Sequence, residues 1–185
     1  MEFSSIVKNM EFYRNICGKR EIKREDVDFE EIAKNAYEGY KKVGCEFGVI
    51  TSVSAALGID IDFEKVMEIK KELPFKWGAV CGAVTGAFVL FSLLLEESDF
   101  EEAAKKIIKF HNETPLPHYG GNGTAVPKAS ADSILCRDSI LNWTRKTGIP
   151  VRSPLRSERC GRVTADIAVE TLNIIFEKLP VSISL

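Results

Sequence analysis

Cys45, Cys81, Cys136 and Cys160 are the residues of this chain best suited to chemistry, and the reactive and metal-ligating form of each would be the thiolate. A thiolate needs positive surroundings or the free N–H groups of a helix start. Cys136 falls in the first turn of a predicted helix with Arg137 beside it. Cys160 falls near the start of the last predicted helix, between Arg159 and Arg162, and Cys45 follows Gly44 at another predicted start. Cys81 differs, because it lies inside an apolar run where a lone thiol is an inert small hydrophobe, although Gly82 and Thr85 leave space around it. There is no Cys-x-x-Cys, so no local motif signals a zinc ribbon, a ferredoxin-type cluster or a thioredoxin-type dithiol. On the residues alone three readings stay open: ligands of a metal or cluster, a metal-free dithiol, and buried structural cysteines, which are the default for dispersed thiols. Cys17, in Asn15-Ile16-Cys17-Gly18-Lys19, reads as a free thiol near a helix end.

His111 and His118 flank Thr114-Pro115-Leu116-Pro117, and imidazole suits several metals, but no second ligand clusters with either in the sequence. A loop hydrogen-bonding role is the plainer reading. Arg137, Arg152, Arg156, Arg159 and Arg162 gather in the C-terminal third, as solvated salt-bridge partners or as an electropositive collar around an anionic centre. Gly120-Gly121-Asn122-Gly123-Thr124 is glycine-rich but follows no strand and lacks the Lys-Ser/Thr ending of a phosphate cradle. No nucleophile elbow or hydrolytic triad is visible.

The elements that must position these residues are helical. Asp28 caps a helix carrying Phe29, Ile32, Ala33, Ala36, Tyr37 and Tyr40, with Glu31 at capping-box spacing. Gly44 interrupts it, and a second helix runs from Cys45 to a stop at Gly58. Asp62 caps a third that ends before Pro74. The charge-free run Trp77–Leu95 follows, carrying Gly78, Gly82 and Gly86; it is long enough to span a bilayer, but a central buried helix explains it better. Ser98 or Asp99 caps an amphipathic helix through Ala103, Ile107 and Phe110. From Glu113 to Ala131 the prolines and glycines predict a long irregular loop, which in a compact domain is functional or disordered. Asp132 then caps a helix bearing Ile134 through Trp143, and the last helix runs from about Glu158 to Leu179.

Composition bounds the function. The 185 residues are 45% hydrophobic and 28% charged with a net charge of -2, which argues against a phosphate-neutralising nucleic-acid binder. The chain has no Gln and is rich in Glu, Lys, Arg and Ile, a lean toward thermophilic proteins. Met1–Lys8 carries no signal-peptide pattern, so a cytoplasmic location is expected, where cysteines serve metals or catalysis more often than structural disulfides.

Trp77-Gly78-Ala79-Val80-Cys81-Gly82-Ala83-Val84-Thr85-Gly86-Ala87 resembles the core of the redox-active family named for its C_GCAxxG_C_C pattern. That family carries one cysteine upstream of the core and two downstream, and Cys45, Cys136 and Cys160 match those positions. Within it, the likeness extends to the main domain of split-Soret cytochromes c through Thr114–Pro117, Cys136–Trp143 and Glu158–Asp166, over roughly residues 30 to 180. The Cys-x-x-Cys-His motif of those cytochromes is missing, so covalent c-type haem and the haem function do not carry over. The resemblance implies a dimeric helical fold and a four-cysteine site for an iron–sulfur cluster, with zinc as the alternative for soft thiolates.

The resulting expectation is an all-α, compact single-domain helical bundle with a central apolar helix and a long Pro/Gly-rich loop. An N-terminal helical extension (1–27) precedes a four-cysteine redox domain (28–185). Cys45, Cys81, Cys136 and Cys160 are expected to bind an iron–sulfur cluster or another metal for electron transfer or redox sensing. A homodimer, a separate redox partner protein, no nucleic acid and no membrane span complete the expectation. The rivals are a metal-free dithiol/disulfide protein and a noncatalytic dimerisation module with structural cysteines.

Overall fold

Asp28 opens the first helix as expected: its carboxylate accepts from the free backbone N–H groups of Glu30 and Glu31 at 2.9 and 3.1 Å. The computed structural model describes residues 21–59, 64, 79–179 and 182–184. Helix α1 (Phe29–Ala56) breaks at Gly44, whose φ of 86° and ψ of 172° belong to backbone that glycine adopts without strain. The break folds the arms 29–43 and 45–56 onto each other. A Cβ on Gly39 would come within 3.0 Å of the Gly48 Cα, whereas the stretch between those two residues would span about 13 Å of straight helix.

The central apolar helix is α2 (Gly82–Leu94), with Val84, Leu90 and Phe91 fully buried. It packs against α1, against α3 (Glu97–Glu113) and against α5 (Pro154–Lys178), while α1 and α5 share the largest interface. Among the described residues no helix is long and apolar enough to cross a membrane. The apolar run therefore closes an all-α bundle, and α1, α2 and α5 supply most of its core. Helix α4 (Cys136–Thr147) stands outside these main interfaces, joined by the Trp143 Nε1 hydrogen bond to the Pro127 carbonyl at 3.0 Å.

Several boundaries differ from expectation for local reasons. Glu96, not Ser98 or Asp99, caps α3, because Asp99 instead faces Lys178 of α5 at 3.4 Å. Asp132 does not cap α4: it sits at φ 56°, its carboxylate accepts from Ser130 and Lys146, and Leu135 takes the capping position. Helix α5 begins at Pro154 rather than Glu158, since Ser153 Oγ accepts the Leu155 N–H and proline suits the first helical position. The long loop is ordered around a Leu116–Ala129 bridge and a cis Leu116–Pro117 peptide.

In the segment 1–27, residues 21–23 form β1 (Glu21–Lys23), which pairs antiparallel with β2 (Ser182–Ser184), and Arg24–Asp26 form a single 3-10 turn. This small ribbon had no sequence signal. Cys17, the Asp62-capped helix and Trp77-Gly78 lie outside the described residues.

Candidate metal centre

Four chain segments bring the cysteines together. Cys45 is the first residue after the Gly44 break, and a Cβ on Gly82 would lie 2.5 Å from its sulfur. Gly86 lies as close to the Glu46 carbonyl, 2.6 Å for the same added atom, so the glycine face of α2 nests on the start of the 45–56 arm. Cys81 N–H donates to Ile134 O at 2.6 Å and Cys136 N–H donates to Ala79 O at 2.9 Å, around a Val80–Leu135 bridge. This lacing corrects the expectation for Cys81, which caps α2 instead of lying within it. Cys136 is the first residue of α4. Cys160 sits in the second turn of α5 rather than at its start, because that helix begins earlier than expected.

All four cysteines are free, and each residue as a whole is half-buried. Burial pushes Cys45 up, and Cys81, Cys160 and Cys136 each oppose its ionisation further. Burial, then Cys81 and Cys160, push Cys136 up to about 11 against Arg156 and Arg159. Cys160 is raised by burial, with Arg159 the strongest opposing influence and Cys81 reinforcing the rise. Every pair among the four is thus close enough to interact.

Cys81 goes the other way. Burial alone would raise its pKa, but His111 and the free N–H groups of Ala83 and Val84 bring it down to about 7. Its sulfur forms no formal capping hydrogen bond; the helix start acts on it through its field. His111 is fully buried, its Nδ1 bonded to Asn112 Oδ1 at 3.0 Å, and its Nε2 has no partner at hydrogen-bonding geometry. Burial works against its charged form, but the Cys81 thiolate raises its pKa overall.

His118 is exposed and plays a different part: its backbone N–H, with that of Tyr119, donates to Asp166 at 2.7 and 2.9 Å. The arginines separate as well. Arg137 pairs with Asp138 and Arg162 with Glu158, Arg152 is exposed, and Arg156 and Arg159 face the thiols. The Gly120–Thr124 loop accepts from Arg162 through Asn122 Oδ1 and Thr124 O. Tyr40 was not anticipated. Burial raises its pKa first, then Cys160, and Cys45 also contributes, while its hydroxyl lies 2.9 Å from Ser157 Oγ. Its only sequence signal was a place on the helical stripe that reads as core. A broad groove lies between Phe29, Phe110, Tyr119 and Asp166 and contains none of the four cysteines.

The donor set fits a thiolate-bound metal group: four soft sulfurs, three of them at helix starts, and an orphaned buried imidazole nitrogen beside one of them. Among the described residues no three His, Cys, Asp or Glu side chains stand at the spacing for a single metal ion. A tetrahedral zinc site would need its sulfurs within about 4 Å of one another, given Zn–S bonds of about 2.3 Å.

Fold and site define a helical protein with one dispersed four-cysteine centre. The chain belongs to the redox-active C_GCAxxG_C_C family, whose profile matches residues 43–174. It is 32% identical over 172 residues to split-Soret cytochrome c of Desulfovibrio desulfuricans, covering 83% of this chain. The chain spans 60% of the length of that curated relative. A solved structure of that cytochrome, described there as containing a novel iron centre, superposes with a TM-score of 0.70 at 32% identity, covering 83% of this chain and 70% of that one.

Proposed function

We propose that this protein holds an iron–sulfur cluster through Cys45, Cys81, Cys136 and Cys160 and uses it in electron transfer or redox sensing. The observation that carries the reading is the seating of Gly82 on the Cys45 sulfur together with the lacing of Cys81 to Cys136, and each thiol raises the cost of ionising another. Such an arrangement resists becoming four free thiolates, and a cationic iron core removes that resistance. The related cytochrome's iron centre supports the same reading. When bound, the cluster supplies one-electron chemistry tuned by charge, hydrogen bonds and solvent exposure.

The chain's own residues supply the rest. Gly82 and Gly86 let α2 approach Cys45 without a side chain in between. The Val80–Leu135 bridge locks Cys81 to Cys136. His111 and the helix start favour the Cys81 thiolate, which makes it the first ligand to present a charged sulfur.

A second reading, a metal-free dithiol/disulfide protein, draws on one observation: Cys81 near 7 and Cys136 near 11 form the asymmetric pair expected of an attacking and a resolving thiol. Iron and acid-labile sulfide content, with a visible spectrum, on protein purified without oxygen decides between them. Iron with matching sulfide and absorbance that bleaches on reduction supports the cluster. Zinc alone would make the site structural. Metal-free protein whose reduction releases two thiols would replace the cluster with thiol exchange.

A further inference from the structure

Arg159 is 3% exposed, and among the described residues no carboxylate lies in ion-pair contact with it. Its Nη2 donates to Ser139 Oγ at 3.2 Å, its guanidinium carbon lies 5.7 Å from the centre of the Trp143 ring, and its Nε is buried with no hydrogen-bond partner. Arg162, one turn along the same helix and 5% exposed, shows the contrast. Its charge is met by Glu158 at 2.7 Å and its other donors by Asn122 and Thr124. A guanidinium is a fixed cation in a protein. Withdrawing one from water without an anion is strongly unfavourable, and one hydroxyl and an aromatic face offset only part of that.

Arg159 lies within electrostatic reach of Cys136 and Cys160. The guanidinium reaches from α5 to the first turns of α4, where Ser139 and Trp143 share a helical face with Cys136. Arg159 immediately precedes Cys160. Its charge favours the thiolate at Cys136 and Cys160 and disfavours a second cation at His111. Arg137 is exposed and paired with Asp138, and Arg156 is only half-buried with its Nε on the Val151 carbonyl. Solvent screens both more than it screens Arg159.

We propose that Arg159 is the internal counter-ion of the four-cysteine centre, a positioning residue whose missing anion is the negative charge of the thiolate-bound cluster. The inference rests on the cluster reading given above. On reduction one electron passes from an external one-electron donor to iron, no bond to the chain forms or breaks, and the centre becomes one charge more negative. A fixed cation beside it stabilises the reduced form more than the oxidised form, and so raises the reduction potential.

The test uses anaerobically purified, iron-loaded, full-length protein as wild type, Arg159→Met and Arg159→Lys. Potentials are read by spectroelectrochemical titration with dithionite, and thermal unfolding is followed on the metal-free forms. Arg159→Met is expected to weaken reduction about tenfold, which for one electron is a fall of about 59 mV. Arg159→Lys is expected to stay within about threefold of wild type. Metal-free Arg159→Met is expected to melt no lower than metal-free wild type, because an uncompensated buried charge has been removed. A variant that loses iron with Met but keeps it with Lys also supports the proposal, since Lys restores the positive charge that Met removes. Loss of iron in both variants, or an unmoved potential in Arg159→Met, overturns it and leaves Arg159 as packing between Trp143 and Ser139. Wild-type protein without iron overturns the cluster reading, and this inference falls with it. An iron-loaded wild type with an unmoved variant potential sinks the inference alone.

Discussion

Cys81 and His111 favour each other's charged forms, and their behaviour is testable without any metal. With its pKa lowered from 9.0 to about 7, Cys81 favours the folded state above its unfolded value and loses that contribution as pH falls through about 7. In metal-free protein, iodoacetamide labelling followed by peptide mass mapping should half-maximise near pH 7 at Cys81 but only near pH 11 at Cys136. His111→Gln should move the Cys81 midpoint upward; equal midpoints for the two cysteines would refute the account. Gly82 provides a second residue-level test. A methyl group there meets the Cys45 sulfur at 2.5 Å, with α2 held against the 45–56 arm behind it. Gly82→Ala should cost about 1–3 kcal/mol of stability, the usual penalty of overpacking, and reduce iron retention, both readable from unfolding curves and metal content.

At the scale of elements, the turn chemistry of the first half was legible. Asp28 as cap, Gly44 as break, Cys45 as restart and the halt near Gly58 all stand where local rules put them. Cys81 was not legible, because a charge-free run gives no sign that its first residues leave the helix to bridge α4. Ser153-Pro154 did carry the start of α5, a capping hydroxyl followed by an N-terminal proline, but two nearby prolines made the stretch read as loop. The long loop has its own anchor in Asp166, 8% exposed, which accepts from His118 and Tyr119. Asn offers one acceptor in place of two and orphans one of those N–H groups. Asp166→Asn should therefore lose about 1–3 kcal/mol in denaturant unfolding, with the metal content unchanged because the groove that His118, Tyr119 and Asp166 line holds none of the four cysteines. Unchanged stability would show that water satisfies the freed donor.

For the whole molecule, the cluster reading makes stability and metal content one quantity. Ligand binding to the folded state alone adds about 2.7 kcal/mol at a hundredfold excess over its Kd, so chelating the iron should lower Tm by about 5–10 °C. A Tm indifferent to chelation would mean that the bundle folds independently of the centre. Exposed ion pairs such as Lys105–Glu101 and Lys106–Glu177 contribute little by comparison and should not respond to iron. We also propose that the chain forms a homodimer, which light scattering checks directly: twice the 20.6 kDa chain mass bears it out, and the single mass refutes it.

The sequence by itself determined the helical class and the apolar centre of the bundle, because periodicity, caps and glycine breaks act over a few residues, while the four cysteines to watch stood out through the family resemblance. Only the tertiary structure decided that Cys81 caps a helix, that His111 stands beside it while His118 faces solvent, and that Arg159 is buried without a carboxylate. Those facts depend on α2 meeting α4 through a two-residue bridge and on α5 crossing to Ser139. Such contacts join residues far apart in the chain, and no local rule of spacing or propensity encodes them.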